Sequence, residues 1–206
     1  PRARGRACLR PRGLTGMGVD ALRSVIESER FRLEPRGRLR AFRETYAWSR
    51  DSAFMSSYCG SGERRSPWKW YREMIRPNNR TKFAHAIIPH GAASPIGFHF
   101  AAIRPYRSCF LAVGIHDRAW WGKGVVQEAR GRIIDHILAN SDVDRLYAYV
   151  FARNLPSIFN YRKFGFTHVG TLHRCRRDAA TGEVNDMLFF EMFRDEWLAR
   201  RERENA

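Results

Sequence analysis

Two glycines, Gly122 and Gly124, stand one residue apart in the stretch HDRAWWGKGVV, before a long segment with helical apolar periodicity. Glycine has no β-carbon, so the backbone at these positions can approach a ligand closely. Successive N–H groups at a helix start, together with the helix dipole, bind anions such as phosphate. With no acidic residue expected in the first turn, the spacing predicts a phosphate-binding helix start. A glycine-rich turn that only opens a helix is the structural alternative.

Two well-known phosphate-binding loops do not fit this stretch. A Walker A loop requires Ser or Thr directly after Gly-Lys to hold magnesium, but Lys123 is followed by Gly124. A Rossmann fingerprint requires a third glycine, but that position is Gln127. The ligand must therefore be identified from other parts of the sequence.

A second block, NLPSIFNYRKFGF, follows an apolar strand about 30 residues further along the chain. The stretch WWGKGVVQEA resembles the pyrophosphate loop, Q/R-x-x-G-x-G/A, of the GNAT superfamily of acyl-CoA-dependent N-acyltransferases. The pattern N…S…Y-x-K-x-GF resembles the second cofactor motif of that superfamily. The segments RFRLEP, SPIGF and GEVND…FFEMFRDEW also match, so the resemblance covers about residues 29–198. These features are typical of the branch that contains ribosomal-protein N-terminal, polyamine and amino-sugar acetyltransferases.

The resemblance implies acetyl-CoA as cofactor, with succinyl-CoA as the alternative donor, and implies no metal. Ala119 stands at the Q/R position of the family pattern, so backbone groups of the loop are expected to bind the pyrophosphate without that side chain. The implied cofactor-binding residues come from a strand, the loop and the second motif: Val113, Gly114, Ile115, Trp121, Gly122, Lys123, Gly124, Val125, Val126, Asn154, Ser157, Tyr161 and Lys163.

Acyl transfer from a thioester to an amine requires a neutral amine, a donor for the developing oxyanion and a proton for the departing thiolate. By resemblance, Tyr161 supplies that proton. A phenol with a pKa of about 10 can protonate a thiolate of about 8.5 at modest cost, although Tyr161 could simply pack within its helix. Asn154 resembles the polar residue that touches the pantetheine arm, and it could also cap the helix. The implied oxyanion donor is a backbone N–H on the strand 113–115, which matches the bulged fourth strand of the family.

The general base stays open in the sequence. Many relatives carry a glutamate at the position that aligns with Phe110, and phenylalanine cannot accept a proton. The candidate replacements are His99 on the preceding strand, His116 at the strand end and Asp186 on the last hairpin. Histidine titrates in a suitable range, although a strand histidine is more often structural. The enzyme could also bind the neutral fraction of its amine and use no dedicated base.

Charge and cysteine content bound the partners and the compartment. The 206 residues contain 37 Lys+Arg against 21 Asp+Glu, a net charge of +16. This excess favours acidic partners such as the ribosome, nucleic acid, an acidic protein or an anionic metabolite, although solvated surface arginines alone could account for it. The four cysteines form no CxxC pair, which favours a reducing cytoplasm. No apolar run approaches the roughly 20 residues of a membrane helix.

The alternation of apolar patterns predicts an α/β fold, that is, an α+β mixed sheet of the GNAT type. The central sheet is expected to be mostly antiparallel and twisted, with one splayed parallel strand pair, and to be flanked by helices. Residues 1–16, with five arginines and no acid, are expected to form a disordered basic tail before a single domain over 17–206, and Met17 could be the natural start. Strands are predicted at 30–35, 82–88, 95–103, 108–115, 145–152, 166–174 and 186–193, and helices at 36–48, 67–75, 122–139, about 155–164 and from 194.

The leading functional hypothesis is an acetyl-CoA-dependent N-acetyltransferase that acts by direct attack of a primary amine, on a protein N-terminus or a small molecule. A succinyl-CoA-dependent transferase and a non-catalytic module that binds CoA or nucleic acid are the alternatives. A DNA-binding regulator is disfavoured because the sequence shows no convincing pair of recognition helices. A homodimer is compatible with all of these.

Overall fold

The fold is built on one mixed sheet of eight strands in the order β1-β2-β3-β4-β5-β6-β8-β7, as shown by a computed structural model that describes residues 20–74 and 77–205. Every neighbouring pair is antiparallel except β5 and β6, which run parallel. The predicted mixed sheet with one parallel pair is therefore confirmed. The predicted tail, 1–16, and the end of the predicted helix at Ile75 lie outside the described residues. No helix among those described is both long and apolar enough to cross a bilayer.

Most of the predicted elements are present. The strand Ile26–Glu27 was not predicted, and the helix expected over 67–75 is a three-residue α-helix followed by a π-helical turn. The strands are β1 (Ile26–Glu27), β2 (Phe31–Pro35), β3 (Lys82–Pro89), β4 (Gly97–Arg104), β5 (Ser108–Ile115), β6 (Arg145–Phe151), β7 (Thr167–Arg177) and β8 (Val184–Phe193). The helices are α1 (Arg38–Thr45), α2 (Ser52–Cys59), α3 (Pro67–Lys69), α4 (Val125–Ala139), α5 (Leu155–Phe164) and α6 (Arg194–Asn205). A 3₁₀ turn (Tyr46–Arg50) follows α1, and a π-helical turn (Trp70–Met74) follows α3.

Each face of the sheet carries its own apolar core, because side chains alternate between the two faces along a strand. Phe83 and Ile87 of β3 belong to the larger core under α4 and α5, whereas Ala84 belongs to a second core beside α1 and α2. Helix α5 ends at Gly165, which has a φ of 88° and donates its N–H to the carbonyl of Arg162. This confirms the glycine-closed helix that the sequence predicts.

The segment 36–60 differs from the prediction. The single helix expected over 36–48 is divided into α1 and the 3₁₀ turn, and Leu39, expected on its buried face, is 53% exposed. Helix α2 was not predicted. The Asp51 carboxylate caps α2 by accepting the N–H groups of Ala53 and Phe54 at 3.0 and 3.1 Å, and Gly60 ends it with a φ of 71°.

We expect Gly60→Ala to lower the free energy of unfolding by about 3 kcal/mol. A left-handed conformation costs a residue with a β-carbon about 1 kcal/mol, and overpacking adds about 2 kcal/mol. The added β-carbon would lie 2.1 Å from the Phe151 ring. The matched control is Gly91→Ala, which has a similar φ of 78° and nothing within 4 Å of the added atom. Urea unfolding measures both variants, and equal losses would contradict the assigned contact with Phe151.

Candidate active site

The parallel strands β5 and β6 pair over only three residues and then separate. Their register joins Ser108–Phe110 to Arg145–Tyr147 and goes no further. Beyond it, the carbonyl of Leu111 accepts a hydrogen bond from the Tyr161 hydroxyl at 3.3 Å, and the carbonyl of Ile115 accepts one from the Trp121 indole at 3.0 Å. The strand pair is therefore splayed, as predicted, and backbone groups of β5 face the opening.

The backbone of Val113 must face the same opening, because the polar groups of alternate strand residues point to the same side and Val113 lies between Leu111 and Ile115. The backbone of Gly114 points toward β4 instead. If Gly97 of β4 carried a β-carbon, that atom would lie 2.5 Å from the Gly114 carbonyl oxygen. The sequence predicts a bulge in β5, and this prediction is wrong. The register between β5 and β4 runs without a shift from the pair Gly97 and Ile115 to the pair Arg104 and Ser108.

A groove of ≈ 440 Å³ extends from this opening along the loop after β5 and the first turns of α4 and α5. Most of the predicted cofactor-binding residues line it, whereas Gly114, Lys123 and Tyr161 do not. The predicted residues on its wall are Val113, Ile115, Trp121, Gly122, Gly124, Val125, Val126, Asn154, Ser157 and Lys163. The groove also contains residues that the sequence did not indicate, among them Trp120, Gln127 and Asn160. The Gln127 amide donates to the Asn160 side chain at 2.8 Å and so ties α4 to α5.

The glycine pair forms an uncapped helix start. Gly122 and Gly124 have φ values of 73° and 74°, so the backbone conformation itself favours glycine, in addition to the clearance that was predicted. Gly124 is the N-cap of α4 and has no side chain to accept the first N–H groups of the helix. These donors are therefore available to an external acceptor.

The first turn of α4 does contain an acid, so the prediction that it has none is wrong. The helix begins at Val125 rather than at Gly122, which brings Glu128 into the first turn. Glu128 is paired with Arg30, whose Nε lies 2.7 Å from Oε2 and whose backbone N–H bonds Oε1 at 2.8 Å. Burial acts to raise the pKa of Glu128, but the hydrogen bonds from Arg30 outweigh it and lower that pKa. The same guanidinium donates to the Lys123 carbonyl at 2.9 Å and holds the loop.

The position of Ala119 leaves the loop without the longer polar side chain of the family pattern. Asp117 accepts the N–H of Ala119 at 3.0 Å and so fixes the 3₁₀ turn that precedes the glycines. The neighbouring Arg118 points its guanidinium to the Asp51 carboxylate, at 3.2 and 3.3 Å. Backbone groups thus remain the principal donors of this loop.

A smaller cavity of ≈ 60 Å³ adjoins the groove at the splayed strands. Asn154 lies on the walls of both. Its carbonyl oxygen accepts the N–H of Ser157 at 3.1 Å, and its amide nitrogen donates to the carbonyl and hydroxyl of Ser57 at 3.1 and 3.2 Å. Both sequence interpretations of Asn154 are therefore compatible with its position, because it caps α5 and also lines the cavities.

Tyr161 lies on the wall of the smaller cavity and is 2% exposed. The guanidinium of Arg130 lies over its ring, 4.1 Å from the centroid. Burial raises the pKa of the Tyr161 phenol, and the charge of Arg130 acts in the opposite direction. The phenol therefore carries its proton at neutral pH, as a proton donor must.

Tyr58 and Arg130 also line the smaller cavity, and the sequence analysis missed both. Burial raises the pKa of Tyr58, so it too is a protonated phenol. Tyr58 was missed because α2 was not predicted. The burial of Arg130 could have been predicted from the sequence. Arg130 lies four residues after Val126 and three before Ile133, and this spacing places it on the apolar face of α4.

Neither candidate histidine lines the groove or the smaller cavity. His99 is fully buried with both ring nitrogens unpartnered, and burial, with the nearby charges of Arg130 and His85, lowers its pKa well below the ordinary value. His116 stacks on Trp48 with ring centroids 5.0 Å apart, and burial lowers its pKa.

Asp186 lies at the start of β8, next to the strand end that forms the smaller cavity. Its carboxylate accepts the N–H of Arg174 at 2.8 Å and pairs with Nδ1 of His173 at 3.0 Å, and these contacts lower its pKa. Its backbone carbonyl accepts the N–H of Ala152 at 3.0 Å, one residue after the cavity residue Phe151. Asp186 is thus an ionised, partly exposed group near the cavity but not on its wall.

Comparison with known families decides what this arrangement is. A family model described as the acetyltransferase (GNAT) domain matches residues 30–167. The chain belongs to the GNAT acetyltransferase family. It is therefore an acyl-CoA N-acyltransferase, as the paired glycine and tyrosine blocks predicted.

Solved GNAT structures share this fold at low sequence identity. A ribosomal L7/L12 alpha-N-protein acetyltransferase in complex with coenzyme A has a TM-score of 0.70 at 14% identity and covers 84% of this chain and 99% of its own. The spermidine N-acetyltransferase from Vibrio cholerae, in complex with CoA and spermine, has a TM-score of 0.68 at 18% identity, covering 82% and 98%. The ribosomal-protein-S5-alanine acetyltransferase from Vibrio fischeri has the same TM-score and identity, covering 84% and 98%. No curated protein sequence matches the chain significantly.

We expect the buried histidines to make this GNAT protein lose stability as the pH falls from 7 to 5. The unfolded chain takes up protons below a pKa of about 6.5, whereas the folded protein resists protonation of His99 because its pKa is lowered. Each such residue removes about 2 kcal/mol of unfolding free energy between pH 6.5 and pH 5. His99→Leu should reduce the pH-dependent loss by about that amount, and the exposed control His90→Leu should not. Denaturant unfolding at pH 7 and pH 5 tests this, and an unchanged pH dependence in His99→Leu would contradict it.

Proposed function

We propose that this GNAT enzyme transfers an acetyl group from acetyl-CoA to a primary amine, by direct attack of the amine on the thioester. The amine belongs to a protein N-terminus or a small molecule. The observation that carries the proposal is the Tyr161 phenol held at the opening between β5 and β6, hydrogen-bonded to the Leu111 carbonyl and continuous with a groove that leads to an uncapped helix start.

The donor groups along the groove suit the three parts of coenzyme A. The N–H groups from Gly122 to Val126 can bind the pyrophosphate, and Lys163 adds a positive charge to the same wall. The backbone carbonyl of Val113 and the side chain of Asn154 offer polar contacts to the amides of the pantetheine arm. The thioester then lies near Tyr161, at the end of the groove where the smaller cavity opens.

The groups at the opening can provide each hydrogen bond and each proton transfer that the reaction needs. The Val113 N–H can donate to the oxyanion that develops when the amine nitrogen bonds the carbonyl carbon. The carbon–sulfur bond breaks, and Tyr161 gives its proton to the departing thiolate. The proton of the amine leaves to water or to Asp186, which is ionised and lies beside the cavity. Since neither His99 nor His116 reaches the cavity walls, we propose that the amine enters in its neutral form.

The net charge of +16 helps to choose among amines. A basic protein repels polyamines and aminoglycosides and attracts an acidic protein or the ribosome. We therefore favour the α-amine of an acidic protein as substrate. Ribosomal proteins are the substrates named for two of the structural neighbours. The free thiols of Cys59, Cys109 and Cys175 favour a reducing cytoplasm as the place of the reaction.

Tyr161→Phe should lower kcat by about 100-fold, because a general acid contributes at least that factor. Binding of CoA should change little, since the ring and its packing remain. The measurement is thiol release from acetyl-CoA, with CoA binding by calorimetry. Tyr147→Phe is the matched control, because Tyr147 is half-buried on its strand and lines neither cavity. An unaffected kcat in Tyr161→Phe would show that the acid is another group, with Tyr58 the next candidate.

The substrate is tested by thiol release across an amine panel that contains acidic N-terminal peptides, spermidine, an aminoglycoside and an amino-sugar nucleotide. We expect turnover with the acidic peptides at the lowest KM. If no amine gives turnover and CoA does not bind, the enzymatic proposal fails. If CoA or RNA binds without any thiol release, and RNA binding weakens steeply with salt, a non-catalytic binding module replaces it.

A further inference from the structure

Arg130 is a buried cation at the junction of the two cavities. It lines both the groove and the smaller cavity and is 1% exposed. Its Nε and Nη1 atoms are buried without a hydrogen-bond partner. Within residues 20–74 and 77–205, no carboxylate forms an ion pair with it. A buried charge without a partner is costly, so an anionic ligand would stabilise this position.

The groups around Arg130 are neutral and do not compensate its charge. The nearby His99 is buried, and neither of its ring nitrogens has a hydrogen-bond partner. The Tyr161 hydroxyl, which donates to the Leu111 carbonyl, can accept a hydrogen bond from the guanidinium but brings no negative charge. The aromatic faces of Tyr161 and Phe164, 4.1 and 5.7 Å from the guanidinium carbon, offset only part of the cost of burial. The missing component at this site is an acceptor that carries negative charge.

The pyrophosphate of coenzyme A is not the anion that Arg130 is placed to bind. The proposed pyrophosphate donors run from Gly122 to Val126, and Arg130 lies about 6 Å further along the helix than Val126. Its guanidinium lies over the Tyr161 ring, 4.1 Å from the centroid, and not at the helix start. The anion must instead reach Arg130 through the smaller cavity beside Tyr161, where the thioester is proposed to lie. The volume of ≈ 60 Å³ is room for about four water-sized groups. A methylene carrying a carboxylate has that number of heavy atoms.

We propose that Arg130 binds a carboxylate at the far end of the acyl group, so that the enzyme prefers short dicarboxylic acyl-CoA donors of succinyl-CoA size over neutral acyl groups of the same size. The proposal rests on the acyl transfer argued above, and it replaces acetyl-CoA by a dicarboxylic acyl-CoA as the preferred donor. The bonds that form and break are unchanged: the amine nitrogen bonds the carbonyl carbon, the carbon–sulfur bond breaks and the thiolate takes a proton. The distal carboxylate passes intact to the product.

The test is a binding measurement that needs no amine. Two stable thioethers are compared by calorimetry: S-(3-carboxypropyl)-CoA and the neutral S-(4-methylpentyl)-CoA, whose branched end has the shape of a carboxylate. We expect wild-type protein to bind the carboxylate at least about 10-fold more tightly, because a buried charge pair is worth that factor or more. The preference should disappear in Arg130→Met and return in part in Arg130→Lys.

Arg132→Met is the matched control, since it removes an equal charge from the exposed side of the same helix and should keep the wild-type preference. Equal binding of the two thioethers by wild-type protein would overturn the proposal, even if Arg130→Met does not fold. A preference that persists in folded Arg130→Met would also overturn it. In both cases binding of unmodified CoA would leave the proposed function standing, whereas loss of CoA binding by wild-type protein would remove both.

Discussion

The early separation of β5 from β6 is the constraint on which the rest of the site depends. A parallel pair normally continues its hydrogen bonds along the strands, and here it stops after Phe110. The unpaired polar groups of β5 must then find other partners. The side chains of Tyr161 and Trp121 satisfy two of the carbonyls, and the backbone of Val113 between them is left facing the opening. A ligand that carries amides along its length is the natural partner for such an edge.

The loop that completes the groove is held by an ion pair and hydrogen bonds as well as by the packing of Trp120 against Phe31 and the core. Arg30, just before β2, reaches both the Glu128 carboxylate and the Lys123 carbonyl. It thereby neutralises an acid that would repel an anion at the helix start. It also fixes the backbone of Lys123, which lies between two glycines and would otherwise be conformationally flexible. The same cation thus removes an electrostatic obstacle and fixes the geometry of the loop.

Sequence reasoning was most reliable where local patterns decide structure. The strands β3, β4, β5 and β8 alternate or run apolar between turn residues, and their predicted bounds agree with the structure to within two residues. The serine- and glycine-rich segment 49–65 shows no clear helical spacing of apolar residues. Helix α2 was missed because its formation depends on the Asp51 cap and on packing against β5. The burial of Arg130 was also missed, because a charged residue is usually assumed to face water. The positions of His99 and His116 away from the cavities follow from which face of the sheet each helix covers, and no local pattern encodes that.

The position of β8 in the sheet has a consequence for how the protein is made. Strand β6, which forms one side of the opening, pairs on its other edge with β8 from Arg145–Phe193 to Phe151–Met187. A ribosome therefore releases β6 with both edges largely bare, and some forty residues must follow before the β8 partner exists. Until then the chain exposes an apolar strand that can pair with other chains. One wall of the opening between β5 and β6 therefore stays without its neighbour in the sheet until β8 has been synthesised.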